Sequence, residues 1–146
     1  MPTMLGEPYS PTWRGKYPHM LQEDYPIWEL FLTKHTTLFE RVYYDVRVGG
    51  VMSEDPTISE KDKLMFYNVT AKRVDVVAEL KEEVWIIEVA SHPGLRAMGQ
   101  VMTYFTLWYK EPKIDKPAKA VLVANVVDAD LMEAMRINGV LVRLTI

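Results

Sequence analysis

The chain has 146 residues, of which 49% are apolar and 25% charged, and a formal net charge of −3. That length and apolar content suit a single domain with its own core, and the acidic balance argues against a protein whose task is to coat nucleic acid through lysine and arginine. With no cysteine in the sequence, disulfides, thiolate metal sites and a thiol nucleophile are excluded.

Residues 1–23 interleave Pro2, Pro8, Pro11 and Pro18 with Tyr9, Trp13 and Tyr17 and show neither helical nor strand periodicity. Proline fixes φ and removes a donor, so this stretch reads as an extended arm held by its side chains against this domain or a neighbouring subunit. Met1 to Ser10 lacks the basic start and apolar run of a signal peptide. The apolar runs Val84 to Val89 and Ala118 to Val127 fall far short of the roughly 20 residues that cross a bilayer. The expectation is a soluble protein with no membrane partner, not secreted by a signal peptide.

Residues 24–146 read as one α/β domain. Asp24 is placed to cap and Pro26 suits a first turn, so the spacing of Ile27, Leu30, Phe31 and Leu38 predicts a helix over Tyr25 to Phe39. Val42 to Val48 is β-branched and aromatic and stops at Gly49-Gly50, as a strand before a turn does. The acidic stretch Ser53 to Lys63 reads as a surface loop or short helix. Lys72 to Leu80 and Val84 to Ala90, separated by Lys81, Glu82 and Glu83, form a hairpin pattern, with the second run the central strand. A helix follows from Gly94 to about Tyr109, its apolar face made of Leu95, Met98, Met102 and Phe105. Then come a strand at Lys119 to Asn125, a capped helix at Asp128 to Ile137 and a strand at Val140 to Thr145. The order predicts a mixed central sheet flanked by helices. Lys110, Lys113, Lys116 and Lys119 make a small basic strip, read as a solvated loop.

Asp75 and Glu88 carry the chemistry. Each carboxylate lies inside an apolar strand, where a charge is costly unless paired or bound to a cation. Side chains alternate along a strand, so Glu88 and Ala90 share one sheet face while Trp85, Ile87 and Val89 share the other. On the following helix Arg96, Gln100, Tyr104 and Trp108 lie four apart on one face.

Arg73-Val74-Asp75 followed by Ile87-Glu88-Val89-Ala90 resembles the signature of the PD-(D/E)XK nuclease superfamily, an aspartate on one strand and glutamate-x-lysine on the next. Gln100 with Tyr104 is similar to a further motif of one branch of that family, and the match runs from about Val42 to Val123. The resemblance implies a restriction-endonuclease-like core. It implies that Asp75, Glu88 and the Val89 carbonyl hold a divalent cation, Mg²⁺, with Gln100 in the catalytic set and Tyr104 binding substrate; Arg96, on the same helix face, is placed to reach a phosphate. It also implies an additional acid, Glu29 or Glu40, on the first helix. Ala90 stands where the family has its catalytic lysine, and neither Lys72 nor Lys81 is a convincing replacement.

Two functions follow as expectations. The favoured one is a nuclease fold without catalysis and without a cofactor, serving as an assembly or binding module, for instance in a viral particle or another nucleoprotein complex. In it Tyr9, Trp13 and Tyr17 of the arm bind a neighbour and make a homo-oligomer or larger assembly. The alternative is a Mg²⁺-dependent DNA nuclease with a non-standard replacement for the lysine. Beside both stands a purely structural role, in which Asp75 and Glu88 pair with Arg73, Arg96 or Arg143. His19, His35 and His92 have no spacing that suggests a metal cluster, so they read as solvated or capping residues. Ser91-His92 lacks a Gly-x-Ser-x-Gly frame, and no phosphate-binding loop is present.

Overall fold

A computed structural model describes residues 2–145. Five strands, β1 (Arg41–Gly49), β2 (Ala71–Glu79), β3 (Val84–Ala90), β4 (Ala118–Ala124) and β5 (Leu141–Leu144), lie side by side in chain order. β1, β2 and β3 pair antiparallel, whereas β3–β4 and β4–β5 are parallel. Parallel neighbours need crossover connections, and two helices, α3 (Leu95–Lys110) and α4 (Ala129–Ile137), supply them. α1 (Tyr25–Lys34) precedes β1, and α2 (Glu60–Thr70) lies between β1 and β2. The expected α/β class, a mixed sheet flanked by helices, is what the chain forms.

Two expectations need correction. The first helix ends at Lys34 and not at Phe39: His35 leaves helical geometry at φ −129° and ψ 58°, and the β-branched Thr36 and Thr37 that follow are weak helix formers. The stretch read as ending near Lys63 instead opens α2, which Ser59 caps through its side chain on Asp62 N at 3.1 Å. Tyr67 is the buried residue of this helix, while Leu64, Met65, Phe66 and Val69 stay exposed.

The helices pack on both faces. Ile27, Trp28, Phe31 and Leu32 of α1 cover one, against Val42, Tyr44, Val76, Ala78, Trp85, Ile87 and Val89. On the other, Trp108 of α3 joins Val74, Val77, Val84 and Ile86, and Ala97 and Val101 join Leu122 and the α4 residues Leu131 and Met135. β3 therefore alternates as the sequence predicts.

The arm lies on its own domain. Met4 and Arg47 exchange backbone hydrogen bonds of 2.9 and 3.1 Å, and Tyr9 and Val42 exchange bonds of 2.7 and 3.0 Å. These bonds cover the outer edge of β1, which is otherwise open to pairing with another chain. The chain then crosses the α1 face. Tyr17 is 1% exposed, donates from its hydroxyl to Glu29 Oε2 at 2.7 Å, and stands edge-on to Trp13 and Tyr25. Tyr9 and Trp13 pack beside it on Tyr44. Of the aromatic side chains assigned to a neighbour, Tyr17 is buried within the chain, while Tyr9 and Trp13 are half-buried against the same core.

β1 and β2 both turn over at one level. Val42 and Tyr44 face α1 but Val46 and Val48 face α3; likewise Val76 and Ala78 face α1 but Val74 faces α3. Strict alternation would keep each set on one side. The change falls at Asp45, whose φ of +54° is rare for a residue with a Cβ. It comes opposite Asp75, between the Tyr44–Val76 and Val46–Val74 pairs.

Candidate active site

A cleft of about 410 Å³ opens where the N-terminal half of β2 meets the C-terminal end of β3, and α3 and the arm wall it. Asp75, Glu88, Ala90, Arg96, Gln100 and Tyr104 all line it, so the residues singled out in the sequence converge. Asp24, Arg73, His19, Ser91 and His92 line it as well.

Asp75 Oδ2 accepts the Val89 backbone N–H at 3.3 Å, which ties the aspartate to the strand that carries Glu88. The two carboxyls act on one another, each effect lowering Asp75 or raising Glu88. Burial, then the Asp75 charge, push Glu88 up to about 9. Burial pushes Asp75 up to about 6, against the lowering effect of the Val89 N–H. Two acids this close cannot both ionise cheaply, so they titrate as a pair. Tyr104 is raised by burial and then by the Glu88 and Asp75 charges, with Gln100 opposing.

Among the described residues no basic side chain forms an ion pair with Asp75 or Glu88. Among the described residues, the acids in ion pairs are Glu40, Asp45, Glu60, Glu79, Glu83 and Glu133. Arg73 is spent on Asp45, with Nε and Nη2 at 2.7 and 2.6 Å from its two oxygens. Arg143 lies over the Trp85 ring at 5.7 Å, on the α1 side of the sheet. Arg96 is exposed, and its charge influences Glu88 less than burial and the Asp75 and Asp24 charges do. The purely structural ion pair is therefore not formed.

Neither Glu29 nor Glu40, the acids expected to join the site, lines the cleft. Glu29 is held by Tyr17, and Glu40 meets Lys116 at 3.4 Å. Asp24 does line the cleft. Its position before α1 suggested a cap, but it makes no capping bond and accepts from Ser91 N at 3.0 Å, directly after β3. Burial raises it, the Ser91 bond lowers it, and it is 6% exposed. Nothing in the local sequence distinguishes this from an ordinary cap, since the partner lies 67 residues away. Of the basic strip, Lys116 pairs with Glu79 at 2.8 Å and Lys119 with Glu83 at 3.2 Å, while Lys110 and Lys113 are exposed.

The donors suit a small hard cation: two carboxylates short of positive charge, with water completing the shell as Mg²⁺ prefers. Among the described residues no three His, Asp or Glu groups meet as a cluster that could hold a metal ion.

No protein-family model matches the chain, and no curated protein or solved structure is significantly similar to it. Among the described residues no helix is long and apolar enough to cross a membrane.

Proposed function

We propose that the chain is a PD-(D/E)XK-like protein whose cleft holds Mg²⁺ on Asp75 and Glu88 and, with it, a phosphodiester of a nucleic acid. The observation that carries this is the buried carboxyl pair with no basic partner, since such a pair calls for a proton or a metal ion. The order of α1, β1, β2, β3, α3 and β4 around the carboxylates supports the family resemblance. Arg96 at the start of α3 supplies a fixed positive charge for the phosphate, and Gln100 and Tyr104 supply hydrogen bonds from the same wall. A bound Mg²⁺ would polarise a phosphoryl oxygen and acidify its water.

The test is binding of short single-stranded and duplex DNA with Ca²⁺, which lets a complex form without turnover, compared with EDTA. Cation-dependent binding that Asp75→Asn and Arg96→Ala each weaken at least tenfold is the expected result. Binding indifferent to the cation and to Asp75 would contradict the reading. A second reading, an assembly or binding module in which the cleft does no chemistry, is favoured by the methyl group of Ala90, which faces the cleft where a lysine would stand.

A further inference from the structure

Hydrolysis in this cleft needs a group that accepts a proton from water near neutral pH. Ala90 has none, a guanidinium is no base, and Asp75 and Glu88 are taken up by the cation in the proposed function. Two histidines line the cleft, His19 and His92. The Nδ1 atom of His92 is already engaged, lying 3.0 Å from Ser91 Oγ and 3.4 Å from Asn125 Nδ2, and its backbone N–H donates to Asn125 Oδ1 at 2.9 Å. Among the described residues the His19 ring makes no hydrogen bond.

The arm places His19 by force of its neighbours. Tyr17 on one side and Met20 on the other are both buried in the α1-side core. Between these anchors His19 takes φ +65°, a left-handed conformation unusual for a side chain of its size. The backbone is thus pinned so that the residue, itself exposed, lines the cleft on the side of Arg73.

Resting on the proposed function, we propose that His19 is the proton acceptor for water attacking a phosphodiester in this cleft. One imidazole nitrogen takes a proton from the water as its oxygen pair forms the new P–O bond. The P–O bond to the leaving sugar oxygen breaks with its electron pair on that oxygen, which takes a proton from solvent. The imidazolium then returns its proton to solvent, so one water is consumed. The charged groups that act on the ring are Arg73 from β2 and Asp45 and Arg47 from β1. Burial, then Arg73, hold the imidazole below its usual range while Asp45 opposes, which keeps it unprotonated at neutral pH.

The experiment measures plasmid cleavage with Mn²⁺, together with Mn²⁺ binding by calorimetry, for the wild type, His19→Asn, His19→Gly and Asp75→Asn. Asparagine and glycine both tolerate the left-handed backbone, so the fold is kept. The expected result is cleavage by the wild type, reduced roughly 100-fold or more in both His19 variants with Mn²⁺ binding unchanged. Added imidazole restores His19→Gly, and the rise in rate with pH below neutrality is lost in His19→Asn. A wild type that binds Mn²⁺ but does not cleave overturns the inference alone, as does His19→Gly with cleavage within about threefold of the wild type. A wild type that neither binds Mn²⁺ nor cleaves overturns the reading of the cleft as well.

Discussion

Asp45 stands opposite Asp75 across the β1–β2 pair, at the level where both strands turn their side chains to the other face. Its carboxylate grips Arg73 at 2.7 and 2.6 Å, with Arg47 at 3.9 Å from the same group. The arginine two residues before Asp75 is thereby held off the cleft carboxylates. Asp45→Asn tests this, because asparagine keeps the left-handed backbone while giving up the charge. The expected result is a stability loss of about 1 kcal/mol, since Arg73 is substantially exposed. Mn²⁺ affinity should also fall by roughly tenfold as Arg73 turns to Asp75, read by calorimetry.

Stability without a divalent cation should fall as pH rises. Unfolded carboxyls titrate at about 4, whereas folding raises Asp75 to about 6 and Glu88 to about 9. The folded state therefore holds more protons across that window. The stability they contribute is fully present below about pH 4 and is lost progressively up to about pH 9. Thermal melts in EDTA from pH 5 to 9 should show the decline, Mn²⁺ should reverse it at pH 8, and Glu88→Gln should flatten it. At pH 8 Glu88→Gln should melt roughly 3–6 °C above the wild type. A flat wild-type profile would remove the buried pair from the account.

Asp24 should matter to structure and site separately. Asp24→Ala leaves the Ser91 N–H without its acceptor and should cost about 1–3 kcal/mol, measured by urea unfolding. Asp24→Asn keeps an acceptor oxygen and should cost less, while weakening Mn²⁺ binding less than Asp75→Asn does.

The arm should behave as a part of the domain. Tyr17→Ala removes a fully buried ring and should cost about 3 kcal/mol. Tyr17→Phe, which loses only the hydroxyl bond to Glu29, should cost about 1 kcal/mol. Limited proteolysis of the wild type should leave residues around Tyr17 uncut, and Tyr17→Ala should open them.

Ala90→Lys places an ammonium on the cleft wall next to Glu88 and offers a direct gain-of-function test. Plasmid nicking with Mg²⁺ should increase at least tenfold if the rest of the site is competent. The same substitution should lower Glu88 toward its ordinary range and lessen the fall in stability with pH.

What was legible in the sequence was local. The alternation of Val84 to Ala90 fixed which face Glu88 and Ala90 share, and the four-residue spacing of Arg96, Gln100 and Tyr104 put them on one wall. What was hidden depends on the path of the chain. Asp24 looks like a cap until Ser91 is seen to be its partner, and His19 is an unremarkable arm residue until the Tyr17 and Met20 anchors are placed. α2 was obscured because its exposed side carries Leu64, Met65, Phe66 and Val69, so its apolar pattern does not mark a buried face.

The most direct test of the central claim is a calorimetric titration of Mn²⁺ into the EDTA-stripped protein at pH 7.5, run in parallel on Asp75→Asn and Glu88→Gln. The account predicts saturable binding at one site in the wild type and its loss in both variants, each of which stays folded. Absence of binding in the wild type, or equal binding in all three proteins, would contradict it.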